Sequence, residues 1–355
     1  MSEHRKTIIA ALIFLLAVTV VANAAIGSAD ISLFMATKIT YMGILEWTKD
    51  TLSGLIPAVG QFQLWDKLAI TKTWQLPQEI IILNIRIPRA VLAGLVGAAL
   101  STAGCAMQGL LKNPMADPYI IGMSSGSALG AALALLLGLQ MQLFAFVFSV
   151  ATIFLVYNIA KVGRVVPTDT LLLGGVAVGA FLSAITSFLV YINDSRDHVI
   201  FWMMGSFANP EWNKVFVSGV MIIIGTFMLY RQSWTLNVLL LGEEQAQYLG
   251  VNIEWVKKYI LVFTSLITGA AVAVSGLIGF VGLVIPHIMR IIVGPDHRIL
   301  FPTSTLAGAI FLIICDTLSR TLITDLNLPV GIITAMFGAP FFIYLIRKRR
   351  KTIYA

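Results

Sequence analysis

The sequence predicts an all-α polytopic membrane protein with about ten transmembrane helices, and three observations carry that prediction. Hydrophobic residues make up 58% of the 355, charged residues only 12%, and mean hydropathy is +0.90. That balance places the chain with proteins that cross a bilayer repeatedly. Apolar runs at or near the roughly 20 residues that span hydrocarbon then recur along the chain. They fall at 7–29, 90–110, 119–138, 142–160, 170–192, 215–230, 259–276, 280–293, 301–319 and 330–346. Finally, with both termini placed inside, the inner connections hold most of the 24 Lys and Arg residues although the outer ones are longer. The positive-inside rule accounts for that asymmetry. The net charge of +7 is therefore a topology signal, and the basic tail at 347–355 reads as a cytoplasmic stop-transfer flank, not a nucleic-acid arm.

Residues 1–29 combine Arg5-Lys6 with a long apolar run and Ala22-Asn23-Ala24, which resembles a cleavage site. The run exceeds the roughly 7–15 apolar residues of a signal-peptide core, so the segment is expected to stay as the first transmembrane helix. Residues 30–89 form the largest expected extracytoplasmic piece, with Trp47, Trp65 and Trp74 among scattered charges. It reads either as an amphipathic surface loop with interfacial tryptophans or as a partner-contact surface. Arg86-Ile87-Pro88-Arg89 ends it, and two arginines on an outer edge run against the charge bias. They either snorkel to lipid phosphate or receive acidic groups of an external partner, which a guanidinium binds bidentately.

The core is expected over 90–346. Small residues recur every fourth position in its first two helices, at Ala93, Gly97, Ser101 and Cys105, and at Gly122, Gly126, Gly130, Ala134 and Gly138. This spacing is a packing signal, because it lets helix backbones approach closely. Between the two helices lie Gln108 and then Asn113-Pro114-Met115-Ala116-Asp117-Pro118. Its prolines stop one helix and start the next, and Asn113 and Asp117 can cap free N–H groups. The same residues could line a polar constriction. Pro167-Thr168-Asp169-Thr170 repeats that pattern more weakly.

Residues 233–258 are the longest inner loop. Leu241, Gly242, Glu243, Glu244, Ala246, Leu249 and Gly250 belong to two short helices broken at Gly242, the second closed by Gly250. The element is either a resting loop or a docking surface. The most glycine-punctuated stretch follows, Gly269 to Arg290, read as a helix ending near Gly276, a tight turn, and a helix starting near Gly279. Gly97-Ala98-Ala99, Gly104, Leu111 and Pro114 match Gly269-Ala270-Ala271, Gly276, Leu283 and Pro286 at one constant offset, which suggests related halves. Asp316 and Arg320 stand i, i+4, so they can pair on one helix face, with Arg320 near the outer end and its charge reaching water.

The chemistry of enzymes is absent from these patterns. Cys105 and Cys315 lie in apolar helices, and the four histidines have no metal-ligand spacing. No GxxxxGK[ST] occurs, so the chain has no P-loop of its own. No nucleophile or metal cluster suggests catalysis.

Taken together the motifs resemble the permease subunits of ABC importers for iron–siderophores, haem and cobalamin. They run in order as RIPR at 86–89, GAAL…GCAMQGLLKNPMADP at 97–118, GMSSG at 122–126, LLLGG at 171–175, WMMGS at 202–206, LN…LGEEQAQYLG at 236–250, GLIGFVGLVIPHIMR at 276–290, DTLSR at 316–320 and LPVGIITAMFGAPFF at 328–342. The resemblance implies a type II importer permease with an inverted pseudo-repeat, in a multi-pass subunit of the cell membrane. It implies a second permease copy, two ATP-binding subunits and an extracytoplasmic substrate-binding protein as partners. ATP would be hydrolysed on the partner, with no cofactor or metal bound here. By motif position, Arg86, Arg89 and Arg320 resemble the arginines that receive the binding protein's glutamates. The 241–250 segment resembles the coupling helices that rest on the ATPases, and Asn113, Met115, Thr168 and Asp169 fall at cytoplasmic gates. Gln108 and Pro114 are expected beside that path. Two departures stand out: Asn327 replaces the family's usual Glu, and 30–85 is long. The competing class, an ion-coupled secondary transporter, would require titratable relays buried in mid-membrane; the only candidates are Asp316 and Asp169, and both are expected near helix ends.

Overall fold

The computed structural model describes residues 3–27, 29–55, 64–163, 165–192, 196–323 and 328–353. The elements in chain order are α1 (Glu3–Ala25), α2 (Leu33–Leu55), α3 (Leu64–Leu68), α4 (Leu76–Ile80), α5 (Ile87–Leu110), α6 (Met123–Leu137), α7 (Met141–Ala160), α8 (Thr168–Ile192), α9 (Arg196–Met203), α10 (Trp212–Arg231), α11 (Ser233–Leu239), α12 (Glu243–Tyr248), α13 (Ile253–Ser275), α14 (Val281–Val293), α15 (His297–Thr321) and α16 (Val330–Ile353). A π-helical turn, Ile81–Arg86, feeds α5, and a 3-10 turn, Pro118–Ile121, precedes α6. Among the described residues the only β pairing is one isolated bridge, Val162 with Val165.

Among the described residues seven helices are long and apolar enough to cross a membrane, and α6, α14 and the 330–344 part of α16 are shorter apolar helices. Together they occupy the ten segments read from the sequence. Their arrangement follows from small residues. α5 is the hub, with 83% of its most apolar window buried, against 11% for α1 at the periphery. A Cβ on Gly97 would strike the Gly308 carbonyl, and one on Gly104 would strike the Gly282 carbonyl. Only glycine therefore lets α15 and α14 lie this close to α5. Side-chain hydroxyls lock the α5–α15 contact: Ser101 donates to the Ser304 carbonyl at 2.8 Å, and Thr102 pairs with Thr305 at 2.7 Å. Gly126 and Gly130 do the same for α6 against Thr152, Phe148 and Phe144 of α7. The four-residue spacing is a packing device, as expected.

The glycine-rich stretch at 269–290 also forms as read, with α13 ending at Ser275 and α14 starting at Val281. Gly276 has φ +70, and the Trp202 carbonyl lies where its Cβ would be. Ser206 donates its N–H to the Ser275 carbonyl at 2.8 Å, and Val330 donates to Gly205 at 2.9 Å. The turn after α9, the α13–α14 turn and the start of α16 are thus sewn into one junction.

Two expectations change. The 30–85 segment was expected as a loop but is largely helical, with the 23-residue α2 returning along α1 and the π-turn. Its small core is Ala24, Ile31, Ala36, Ile39, Ile82 and Ile87. The constant-offset match pairs unlike places: Gly104 is inside α5 whereas Gly276 ends α13, and Pro114 lies in a turn whereas Pro286 lies inside α14. Helix termini, not residue identity, decide what those glycines and prolines do. Asn327 falls outside the described residues.

Candidate functional site

The candidate positions separate to the two ends of α5, whose 24 residues span about 36 Å. At its N-terminal end stand the three arginines. Arg86 ends the π-turn and is 3% exposed. Its Nη1 donates to the carbonyls of Ala24 and Ala25 at 2.9 and 2.8 Å, and its Nη2 to Ala29 at 2.7 Å. These belong to the end of α1 and the turn beyond it, where a helix leaves carbonyls without internal partners. Arg89, 7% exposed, lies one turn on. Its Nε donates to both oxygens of Asp316 at 2.9 and 3.1 Å, and its Nη2 donates to Oδ1 at 2.8 Å. Arg320 completes the pairing, its Nε lying 3.4 Å from Asp316 Oδ2 and its Nη1 donating to the Ile26 carbonyl at 3.2 Å.

The i, i+4 pair read from the sequence is therefore present, but its setting differs from the expectation. Arg320 was expected to extend its charge into water; its side chain is 10% exposed and turned onto Asp316 and α1. Arg86 and Arg89 were expected on an outer edge and are buried among acceptors of this chain. The physical reason is local supply: α1 ends beside them with free carbonyls, and Asp316 offers a carboxylate at the same level.

At the other end of α5, Gln108 is buried and donates through Nε2 to the Gly282 and Leu283 carbonyls at 3.3 and 3.1 Å. It thus stitches α5 to the start of α14. Asn113 accepts the Met115 N–H at 3.0 Å, and Asp117 accepts the Tyr119 N–H at 2.8 Å and caps the 3-10 turn, so both capping readings hold. Pro114 and Met115 lie half-buried in that turn. Burial pushes the Asp117 carboxyl up to about 6, against the opposing pull of the Tyr119 N–H. Thr168 and Asp169 open α8, with Asp169 exposed.

The 233–250 segment forms the two short helices expected, α11 and α12. Gly242, at φ +123, makes the break and Gly250, at φ +81, follows the second. Ala246 is buried beneath α12, while Leu241, Tyr248 and Leu249 are 59%, 91% and 58% exposed. Glu243 is half-buried and Glu244 exposed. The α11–α12 knuckle thus presents Leu241, Tyr248 and Leu249 outward together with Glu244, Gln245 and Gln247.

Two groups that sequence reasoning passed over tie this knuckle to the bundle. Lys257 of α13 is 6% exposed, and its Nζ donates to the Val166 carbonyl at 3.0 Å. The same Nζ lies 3.4 Å from a carboxylate oxygen of Glu243 and 3.4 Å from one of Glu254. One buried cation thus joins the start of α12 to the strand-like turn that leads into Thr168 and Asp169. Around it is a cavity of about 390 Å³. Asn237 of α11 accepts the His297 N–H and contacts His297 Nδ1, both at 2.9 Å, and donates to Asp296 at 2.7 Å. That links the first short helix to the start of α15. Only the Glu254–Lys257 spacing, i, i+3, could have signalled either group; the other partners are far apart in sequence.

Comparison with known proteins agrees with this architecture. The model of the FecCD transport family matches residues 15–348. The chain is 45% identical over 277 residues to the cobalamin import system permease protein of Halobacterium salinarum, covering 76% of this chain and 74% of that one. It is 38% identical over 299 residues to the hemin transport system permease protein of Yersinia pestis, covering 81% and 88%. It is 37% identical over 304 residues to the Fe(3+)-citrate import system permease protein of Bacillus subtilis, covering 84% and 91%. A solved metal-chelate type ABC transporter in an inward-facing conformation superposes with a TM-score of 0.80 at 31% identity, covering 97% of this chain and 99% of that one. With nearly its whole length matched, the chain belongs to the FecCD transport family.

Proposed function

We propose that this permease forms the membrane path of an ATP-driven importer for metal chelates of the iron–siderophore, haem or cobalamin type. The single observation that carries the reading is the exposed α11–α12 knuckle, held through Lys257 to the entrance of α8. In this reading two ATP-binding subunits rest against Leu241, Tyr248 and Leu249 of two permease copies. Their closure on ATP displaces α12, and Lys257 passes the displacement to the 162–169 turn. The polar turns at 113–117 and 167–169 then act as the inner gate, while Gln108 keeps α5 and α14 moving together. ATP is bound and hydrolysed by the partner, and both termini of this chain lie in the cytoplasm.

The arginine end is the docking face for an extracytoplasmic binding protein in the same reading. Arg86, Arg89 and Arg320 support that face from beneath, and partner glutamates gain them only by displacing the acceptors they now hold. The binding protein supplies most of the choice among chelates. A secondary transporter gains no support from the buried carboxylate, because Asp316 is already paired with two guanidinium groups.

The test is mild purification from native membranes, identification of the bound subunits and an ATPase assay. A stoichiometric ATP-binding subunit whose turnover rises with an added binding protein supports the proposal. Purification of this chain alone, with uptake driven by an ion gradient, overturns it.

A further inference from the structure

A cavity distinct from the polar sites described above opens on the side of the bundle. It is a groove of about 740 Å³ between α1, α5, α10 and α15, lined by apolar side chains such as Ile13, Val20, Ile223 and Phe227, with Ala98 at its floor. Ile13, Ile223 and Phe227 are 54%, 63% and 57% exposed, so the groove opens sideways along the membrane-spanning surface. It exists because α1 packs mainly on α15 and leaves α10 uncovered on that side.

Its length and its ends say what fits. Along α1 the lining runs from Ile9 to Val20, which at 1.5 Å per residue is about 16 Å. The hydrocarbon core is about 30 Å thick, so the groove covers the depth of one leaflet and no more. Tyr230 lines the end near Ile9, an amphipathic ring of the sort found at headgroup level. Arg231 follows it at the end of α10, and Arg5 and Lys6 open α1 at the same level; Lys6 and Arg231 are exposed, and Arg5 is half-buried, 3.5 Å from Asp296. At the far end the nearby guanidinium groups of Arg86, Arg89 and Arg320 are turned onto acceptors of this chain.

We infer that this groove holds one acyl chain of a glycerophospholipid whose acidic headgroup is met by Lys6, Arg231 and Arg5. The apolar walls take the tail, the one-leaflet length sets its depth, and the basic rim attracts anionic headgroups. Such a lipid fills the space between the peripheral α1 and α10 and fastens α1 to the bundle. The inference rests on the membrane placement alone and not on the transported substrate.

The permease, with whatever subunits accompany it, is extracted in mild detergent, washed and analysed for retained lipid. Wild-type protein is expected to keep a stoichiometric phospholipid enriched in acidic headgroups. Ala98→Phe, which fills the floor, is expected to lower retention about tenfold. Lys6→Gln with Arg231→Gln is expected to keep a lipid and lose the acidic enrichment. Because the filled variant can misfold, wild-type protein is also labelled in vesicles with a phospholipid carrying a diazirine on its acyl chain. Adducts concentrated on the groove-lining peptides of α1 and α10 support the assignment. Adducts spread evenly over all lipid-facing helices overturn it, as does unchanged retention in folded Ala98→Phe, a retained free fatty acid or quinone in place of phospholipid, or a cysteine cross-link showing that a second copy of the chain covers the groove.

Discussion

Arg89 grips Asp316 with two nitrogens across 227 positions of sequence, at 2.8 to 3.1 Å. The pair is almost closed to solvent, and Arg320 shares the same carboxylate. Removing one partner of a buried pair strands the other charge, at a cost of about 3–5 kcal/mol, whereas replacing both by apolar groups is often neutral. Arg89→Met and Asp316→Leu are each expected to lower the thermal midpoint of the purified protein, and the double variant to recover part of the loss, with Arg320 left to the Ile26 carbonyl. Additive losses would show that the pair contributes nothing as a unit.

Gly104 offers a sharper test of packing. Its missing Cβ is replaced in space by the Gly282 carbonyl, backbone that cannot swing aside. Gly104→Ala is expected to destabilise by about 1–3 kcal/mol, the usual cost of overpacking. Gly54→Ala, where no atom of the described residues lies within 4 Å, is the control and is expected to cause no loss. Thermal unfolding of the two variants side by side decides the matter.

The knuckle should separate two readouts. Gly250 has φ +81, a conformation that a bulky residue adopts only with strain. Gly250→Trp, and likewise deletion of 242–250, is expected to abolish uptake. Lys257→Met should keep the fold but cut uptake about tenfold, which corresponds to ~1.4 kcal/mol, while basal ATP hydrolysis by the assembled complex persists. Equal loss of both activities would point to failed assembly, and unchanged uptake would remove the knuckle from the mechanism.

Asp117 gives the structure a pH dependence of known sign. Its folded value, raised to about 6, lies above the unfolded carboxylate range. The stability it contributes is thus fully present below about pH 4 and is lost as pH rises through about 6. Asp117→Asn keeps an oxygen acceptor for the Tyr119 N–H and removes the titration. Its thermal midpoint is expected to fall less than that of wild type between pH 5 and 7, the window set by that raised carboxyl. Parallel profiles would dismiss the carboxyl as the source.

What the sequence disclosed and what it hid have physical explanations. The ten apolar helices were legible because hydrocarbon imposes length and polarity on each segment separately. The Gly242 break and the Asn113 and Asp117 caps were legible because their partners lie within a few residues. α2 was hidden: Lys38, Glu46, Lys49 and Asp50 interrupt its apolar pattern, so its 23 residues read as a mixed surface loop. The burial of Arg86 was hidden for another reason. Its acceptors are main-chain carbonyls 57 to 62 positions away, and a carbonyl leaves no mark in the residue types. Lys257 likewise looked like one more inner cation until its distant partner at Val166 was in place.

The Arg86 contacts also make the chain from Ala29 to Arg86 a clasped ring. One guanidinium holds both of its ends, and α2 between them packs back along α1. Closing such a ring grows dearer only slowly with its size, about 0.6 kcal/mol for each doubling of length. Residues added between α2 and α4 therefore change the closure cost little, so long as α2 keeps its packing on α1.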